Sequence, residues 1–293
     1  MRVIQELWEM TETARGWLSG GAVALVPTQG RLHPGHLALI EAARRECEIC
    51  VVSLFADPLQ FTSPEELARH AREQGAREQN LRLLERLGVD VVFAPEQEAM
   101  YPPDFATYVT PAGSLAECIE ARLYPQRLRA IATTVCKLLL LVRPDIAYVL
   151  RNEIYTVALM RRLVRDLNID VSISVFPEQR DADGLAYSES YSLLTPQERF
   201  AARILYSALL TGLGLLLAGE RRPEAIIEAM EQVIKAEPLA TLEYVALCDP
   251  DSLTTLAVLE ERALLLAAIR IGGVRLLDSL LWSQEPQNQS AIN

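Results

Sequence analysis

Positive charge, histidine and patterned cysteine are all scarce in this chain, and each scarcity removes a class of function. Twenty-eight Lys and Arg stand against 39 Asp and Glu, a formal net charge of −11. A general grip on nucleic acid needs a basic stripe, and the same deficit repels anionic membrane surfaces. Neither nucleic acid nor membrane is therefore expected as a partner. The five cysteines, Cys47, Cys50, Cys118, Cys136 and Cys248, are odd in number and irregularly spaced, which argues against a disulfide framework. Cys47 and Cys50 form a C-x-x-C, but no second pair and no nearby histidine completes a zinc set. They lie at a helix-to-strand passage, RRECEICVVSLF, where small buried side chains are expected. A reduced, cytoplasmic setting follows. The first ten residues carry Arg2, Glu6 and Glu9, unlike a secretory leader. The apolar run Ala208–Gly219 falls well short of the about 20 residues that a bilayer span needs and reads as a buried helix.

What remains is a chain of 293 residues, 50% hydrophobic and 23% charged, long enough for one large or two medium domains. GAVALVPT (Gly21–Thr28) is a continuous apolar run, as in a parallel strand covered on both faces. HLALIEAARREC follows with helical spacing, then a strand in EICVVSLFAD that stops at Asp57-Pro58. A polar helical stretch from Pro64 to Leu87, a strand in VDVVFAP and a short piece in TYVTPAG come next. LRAIATTVCKLLLLVRP reads as a helix, DIAYVL as a strand, YTVALMRRLVRDLN as a helix and DVSISVFP as a strand. Such alternation predicts a Rossmann-like, doubly wound parallel sheet. After RDADGLAYSES the pattern changes. A long helix opens at Thr195, which can cap it, with Pro196 at its first position. A second helix and two alternating apolar stretches follow. The expectation is an α/β domain over residues 1–183, a small C-terminal α+β lid domain over 184–293, and a disordered polar tail, SQEPQNQSAIN.

The chain has only three histidines, His33, His36 and His70, and two of them bracket Gly35 between the first apolar run and its helix. In open α/β sheets ligands bind beyond the carboxyl ends of the strands. A helix N-terminus there attracts phosphate through free N–H groups and its dipole. Gly35 would admit close backbone approach, and His33 and His36 would stabilise charge developing on phosphorus. The strand–HxGH–helix unit therefore reads as a nucleotide α-phosphate site. His70 reads as an ordinary surface or core residue, and Lys137 as a helix lysine snorkelling from an apolar face.

Nearly the whole chain resembles the pantothenate synthetase (pantoate–β-alanine ligase) family, within the HIGH-type nucleotidyltransferases. VPTQGRLHPGH stands for the family's VPTMGxLHxGH and DPLQF for NPxQF. GVDVVFAPEQEAMYP, PDIAYVLRNE, DGLAYSESYSLLT and GGVRLLDS match GVDxVFAP…YP, PDIAxFGEKD, DGLAxSSRNxYLT and GxxRLIDN. The resemblance implies a two-step reaction. A carboxylate attacks the α-phosphate of ATP, with Mg2+, to give an acyl-adenylate and pyrophosphate; an amine then takes the acyl group and releases AMP. It also implies a homodimer formed through the N-terminal domain. It places His33, His36 and Arg127 at catalytic positions, and Gln29, Asp57, Gln60 and Thr156 on the substrate side. Thr28, Gly35, Asn152, Ser188 and Ser190 fall on the nucleotide side, with Ser188 heading a loop that closes on the phosphates. No resident metal is implied.

Departures from the family pattern fall on chemistry rather than on the scaffold. Gln29 replaces a methionine, Asp57 an asparagine, Arg127 a histidine and Leu150 a glycine beside adenine. Asn152 replaces a lysine, Glu153 an aspartate and Thr156 the second pantoate-holding glutamine. Glu189 and Ser190 replace a serine and an arginine. One lost cationic or hydrogen-bonding contact to developing charge costs roughly 10²–10³ in rate. Arg127 and Arg151 either compensate at the phosphates or are ordinary solvated or paired cations. In an extended segment Arg151 would point away from position 152. Arg127 suggests an anionic group on the substrate, and Asp57 a cationic or hydroxylated one such as an amino acid. Three readings stay open: a ligase joining an acid and an amine other than pantoate and β-alanine, a non-catalytic homologue acting as scaffold or regulator, and an enzyme that has lost ATP dependence.

Overall fold

The computed structural model describes residues 1–17, 20–61 and 77–284. They form two compact units. One comprises Met1–Pro111 with Leu123–Pro177; the other comprises residues 112–122 with 178–284. The first contains six parallel strands: β1 (Arg2–Ile4), β2 (Val23–Thr28), β3 (Ile49–Leu54), β4 (Val91–Phe93), β5 (Ile146–Leu150) and β6 (Ser172–Phe176), in the order β1-β4-β3-β2-β5-β6. From β2 the chain winds outward through β3 to β4, then returns to the other side of β2 for β5 and β6. The strand order therefore reverses between β2 and β5, making this a Rossmann-like doubly wound sheet with a ligand-binding crevice expected at the reversal.

A proline in β2 shapes that crevice. Peptide groups of successive strand residues face alternate neighbours. The carbonyls of Ala22 and Thr28 accept from Ile49 and Phe55 on the β3 side, whereas that of Val23 accepts from Asp145 on the β5 side. Pro27 shares the parity of Val23, so its missing N–H falls on the β5 side, where no ladder bond can form. Register between β2 and β3 runs from Val23↔Ile49 to Thr28↔Leu54, but between β2 and β5 it covers only Ala24↔Ile146 and Leu25↔Ala147. The carboxyl ends of the two central strands are thus unzipped at the switch point.

The apolar runs fill the sheet. Ala24, Val26, Cys50, Val52, Val92, Tyr148 and Leu150 share a core cluster with Leu39, Ile40 and Ala43 of the Pro34–Glu46 helix. That cluster also holds Cys47 and Cys50. All five cysteines are free and buried, and burial pushes the Cys50 thiol up to about 12, so the C-x-x-C serves packing. Two details differ from the sequence pattern. TYVTPAG contains no strand; Pro111 and Gly113 break a run too short for the edge of a sheet. Strand β1 was not expected, because three residues are too few to show a period. Of the expected Pro64–Leu87 helix, Arg77–Arg86 is described; the remainder to residue 76, with His70, lies outside the described residues.

The second unit has an antiparallel sheet, β7 (Ala240–Cys248), β8 (Arg262–Ile271) and β9 (Val274–Ser283), in that order. Gly272 and Gly273, both at positive φ, form the β8–β9 turn, as tight hairpins require. Thr195 and Glu198 complete a capping box with Pro196 behind the cap. The expected long helix is interrupted at Ala202, giving Pro196–Ala201 and Arg203–Leu217. By length and composition Pro196–Leu217 is apolar enough to cross a membrane. Here Leu205, Ala208, Leu209 and Leu216 pack with Met230, Leu265 and Ile269 in one core. Residues 178–186 belong to this unit: Arg180 bridges to Ala186 and forks onto buried Asp278 at 2.7 and 3.0 Å. The division therefore falls at Pro177, ahead of Asp183.

Residues 112–122 are tied in by charge. Glu120 is wholly buried and accepts from Arg275 at 3.1 and 2.8 Å and from the Tyr244 hydroxyl at 3.1 Å; Arg275 also donates to Glu243 at 2.7 Å. Removing one partner of a buried pair strands the other charge. Arg275→Met should therefore destabilise the protein by about 3–5 kcal/mol, measured by urea unfolding with circular dichroism. A loss below about 1 kcal/mol, the range of a surface pair, would show that water screens the cluster.

Candidate active site

The histidine pair stands at the switch point. His33 is the N-cap residue of the Pro34–Glu46 helix, with extended backbone and no side-chain cap; Pro34 follows at the first helical position. The helix thus begins with N–H groups that no capping side chain occupies, the arrangement that receives anions. The two imidazoles stack, ring centroids 3.9 Å apart and 26° between planes. Burial and the neighbouring His36 push His33 down to about 3. At neutral pH its ring is therefore uncharged and serves as a hydrogen-bonding group rather than a cation. His36 is buried, and its Nδ1 has no hydrogen-bond partner among the described residues. Its Nε2 lies 3.8 Å from Glu153 Oε1. A buried imidazole nitrogen without a partner costs stability unless a ligand or water completes it.

Gly35 is closely approached by its neighbours. A Cβ there would sit 3.0 Å from His33 Cε1 and 3.4 Å from Leu150 Cδ1. The backbone approach expected for a ligand is made here by the His33 ring and Leu150. Beyond β5, Glu153 N–H closes on Leu150 C=O at 3.0 Å, and Arg151 N–H bonds Phe176 C=O at 2.8 Å. Residues 151–152 therefore form a turn, so strand alternation does not decide where Arg151 points. Arg151, Asn152 and Glu153 are all half-buried at this carboxyl end.

Asp57 departs most from the sequence reading. Its carboxylate is fully buried and faces inward. Oδ1 accepts from Leu59 N–H at 2.9 Å. Oδ2 accepts from Thr134 Oγ1 at 2.5 Å, from Gln60 Nε2 at 3.2 Å and from the Tyr101 hydroxyl at 3.3 Å. It does not offer a substrate a negative charge, and the inference to a cationic or amino-acid substrate falls with it. Gln60 and Gln29 are joined to each other, Gln29 Nε2 donating to Gln60 Oε1 at 3.2 Å. Thr28 also turns inward: its hydroxyl donates to Ser53 C=O at 2.8 Å and accepts from Gly30 N–H at 3.2 Å. With its one proton so used, it shapes the loop rather than donating to a nucleotide.

The sequence reading gave no role to Tyr101, Thr134 or Asn80. Burial, together with the Asp57 carboxylate, raises the Tyr101 hydroxyl pKa. Asn80 is buried and donates to Gly30 C=O. Their signal was hydroxyl or amide groups on otherwise apolar faces, as in IATT. Arg127 is half-buried in the first turn of the Pro125–Val142 helix, and Thr156 in that of the Ile154–Leu167 helix. Lys137 does not snorkel outward. Its Nζ donates to Met100 C=O and lies 4.7 Å from the Phe105 ring, and burial lowers its pKa. In the second unit, Ser188 caps the short 3-10 turn Glu189–Leu193, accepting from Ser190 N–H at 3.3 Å. Among the described residues no group of three or more His, Cys, Asp or Glu could hold a metal ion.

Residues 2–281 match the family model described as pantoate-beta-alanine ligase. The chain is 38% identical over 282 residues to the pantothenate synthetase of Carboxydothermus hydrogenoformans, covering 96% of this chain and 99% of that one. It is 42% identical over 279 residues to the pantothenate synthetase of Roseiflexus sp., covering 95% and 98%. A crystal structure of the Thermus thermophilus pantothenate synthetase superposes with a TM-score of 0.87 at 37% identity, covering 96% of this chain and 99% of that one. A pantoate-beta-alanine ligase from Francisella tularensis, solved with beta-gamma ATP and beta-alanine, gives 0.77 at 26% identity, covering 96% and 97%. With the sheet reversal, the unzipped crevice and the stacked histidines where the motifs require them, the chain belongs to the pantoate–β-alanine ligase family.

Proposed function

We propose that this chain is an AMP-forming ligase that joins a carboxylic acid to an amine through an acyl-adenylate, with its acid preference moved away from pantoate. The observation that carries the reading is the stacked His33–His36 pair at an uncapped helix N-terminus, with His36 Nδ1 buried and unpartnered. The acid's carboxylate oxygen attacks the α-phosphorus of ATP, the P–O bond to pyrophosphate breaks, and a mixed anhydride forms. His33, neutral, and His36 stabilise the phosphate oxygens as charge shifts among them. The amine nitrogen then adds to the acyl carbon, loses a proton and expels AMP. Gln60 and Gln29 hold the acid. By the family pattern Asn152 takes a nucleotide-side position, and Mg2+ arrives with the phosphates of ATP. Thr156 and Arg127, in place of a glutamine and a histidine of the family pattern, support a changed acid. A homodimer and a cytoplasmic setting accompany the proposal.

A second reading has its own support. Leu150 Cδ1 lies beside Gly35, where the family pattern has glycine against adenine, and Asn152 carries no charge toward phosphate. Both changes fit a homologue that binds a metabolite without turning it over.

Three measurements test the proposal. His36→Ala should lower acid-dependent pyrophosphate release from ATP by about 10²-fold, the scale of one lost charge-stabilising contact; an unchanged rate removes His36 from the mechanism. Pantoate with β-alanine should turn over far below an ordinary enzyme rate, since unpaired polar groups in a binding site reject a ligand by as much as about 10⁴-fold. Efficient turnover refutes the altered preference. Asn152→Lys should tighten Mg-ATP in calorimetry, most at low salt where attraction is least screened. Micromolar binding by the wild type, weakened by this change, would assign the phosphates to Arg127 or Arg151 and favour the ligase over the non-catalytic homologue.

A further inference from the structure

Asp57 is a fully buried carboxylate ringed by four donors, namely Leu59 N–H, Thr134 Oγ1, Tyr101 Oη and Gln60 Nε2. Thr134 and Tyr101 also lie 2.6 Å from each other. Thr134 gives its single proton to Asp57, and Tyr101 gives its own either to Asp57 or to Thr134. A side-chain amide is nearly symmetric in shape, so only its partners decide which end is oxygen and which is nitrogen. Beside an acceptor-only carboxylate, Gln60 must turn its NH2 inward. Its carbonyl then faces outward and meets Gln29 Nε2 at 3.2 Å, which in turn fixes the amide of Gln29. Asparagine at position 57, as in the family pattern, would keep its oxygen on Leu59 N–H and turn its NH2 toward Gln60, favouring the opposite orientation of the Gln60 amide.

We propose that Asp57 is a positioning residue that sets the polarity of the Gln60–Gln29 amide pair and so decides which hydrogen-bonding atoms meet the acid. This rests on the ligase reading only in naming the acid as the ligand; the polarity itself does not. Glutamine at position 29 in place of the pattern's methionine extends the chain of bonds, so the two departures act together.

The test is Asp57→Asn, nearly equal in shape, with two readouts. In 15N-labelled protein the Gln60 side-chain amide, assigned by its loss in Gln60→Glu, should exchange its protons with solvent at least about tenfold more slowly in wild type than in Asp57→Asn, the scale of one hydrogen bond. In pyrophosphate release, with pantoate as the probe acid, Asp57→Asn should lower KM about tenfold while kcat moves less than about twofold, the pattern of changed ground-state binding. Thr134→Val, which removes one donor to Asp57, should move both readouts the same way by less, and Thr134→Ser should restore them; this pair serves if Asp57→Asn does not fold. Unchanged Gln60 exchange overturns the proposal, as does a fall in kcat with KM unmoved. If wild type turns over no acid, the ligase reading fails while the exchange measurement still decides the role of Asp57.

Discussion

Pro27 has no N–H to give, and the geometry of the site follows from where that absence falls. Val23 and Asp145 hold β2 and β5 together at their amino ends, with Val23 N–H also donating to the Asp145 carboxylate at 2.7 Å. Two residues beyond the last paired position, the ladder meets a proline on the β5 side and the strands part. Pairing with β3, which uses the residues of opposite parity, continues undisturbed to Thr28. The central strand thus stays anchored on one side while opening on the other. The opening coincides with the reversal of strand order, so two features that each make a crevice add at one place. His33, His36, Leu150 and residues 151–153 all stand at this end.

Polar groups around the opening divide by direction. Thr28, Asn80 and Asp57 turn inward and spend hydrogen bonds within the fold, on Ser53 of β3, on Gly30 after β2 and on Leu59 after β3. Such fully partnered networks are rigid in a low-dielectric surrounding. His36 Nδ1, by contrast, is buried with no hydrogen-bond partner among the described residues. This division changes the electrostatic character read from the motif. Asp57 looks like a negative charge in the pocket but is spent within the fold. His33 looks like a cation but is held neutral by burial and by its stacked neighbour. A neutral imidazole beside helix N–H groups binds an anion through directed donors.

The second unit uses charge differently. Arg275 and Glu120 are both buried, and Glu243 and Tyr244 complete their bonds. An apolar replacement of the whole cluster would pack as well, because desolvation offsets most of the attraction between buried ions. What the cluster supplies is selectivity of place. Glu120 belongs to a short segment from the middle of the chain, and a buried carboxylate is stable only against the guanidinium that matches it. Arg180 on Asp278 does the same for residues 178–186.

Strand and helix alternation, the Thr195 cap and the HxGH corner were legible in the sequence because each is local: a period, a capping spacing, or a motif at a strand end. The family followed from short strings whose order along the chain is itself specific. By contrast, β1 is too short to show a pattern, and the interruption at Ala202 has no breaker residue. The direction in which Asp57 faces, the neutrality of His33 and the grip of Glu120 on Arg275 were decided only by the tertiary structure. Each depends on what stands opposite a side chain: Thr134 and Tyr101 come to Asp57 from 77 and 44 residues away, and Arg275 to Glu120 from 155. A sequence fixes which groups exist and the local geometry they prefer. Whether a charge is solvated, paired or suppressed depends on long-range neighbours, and that decides which groups are left to face a substrate.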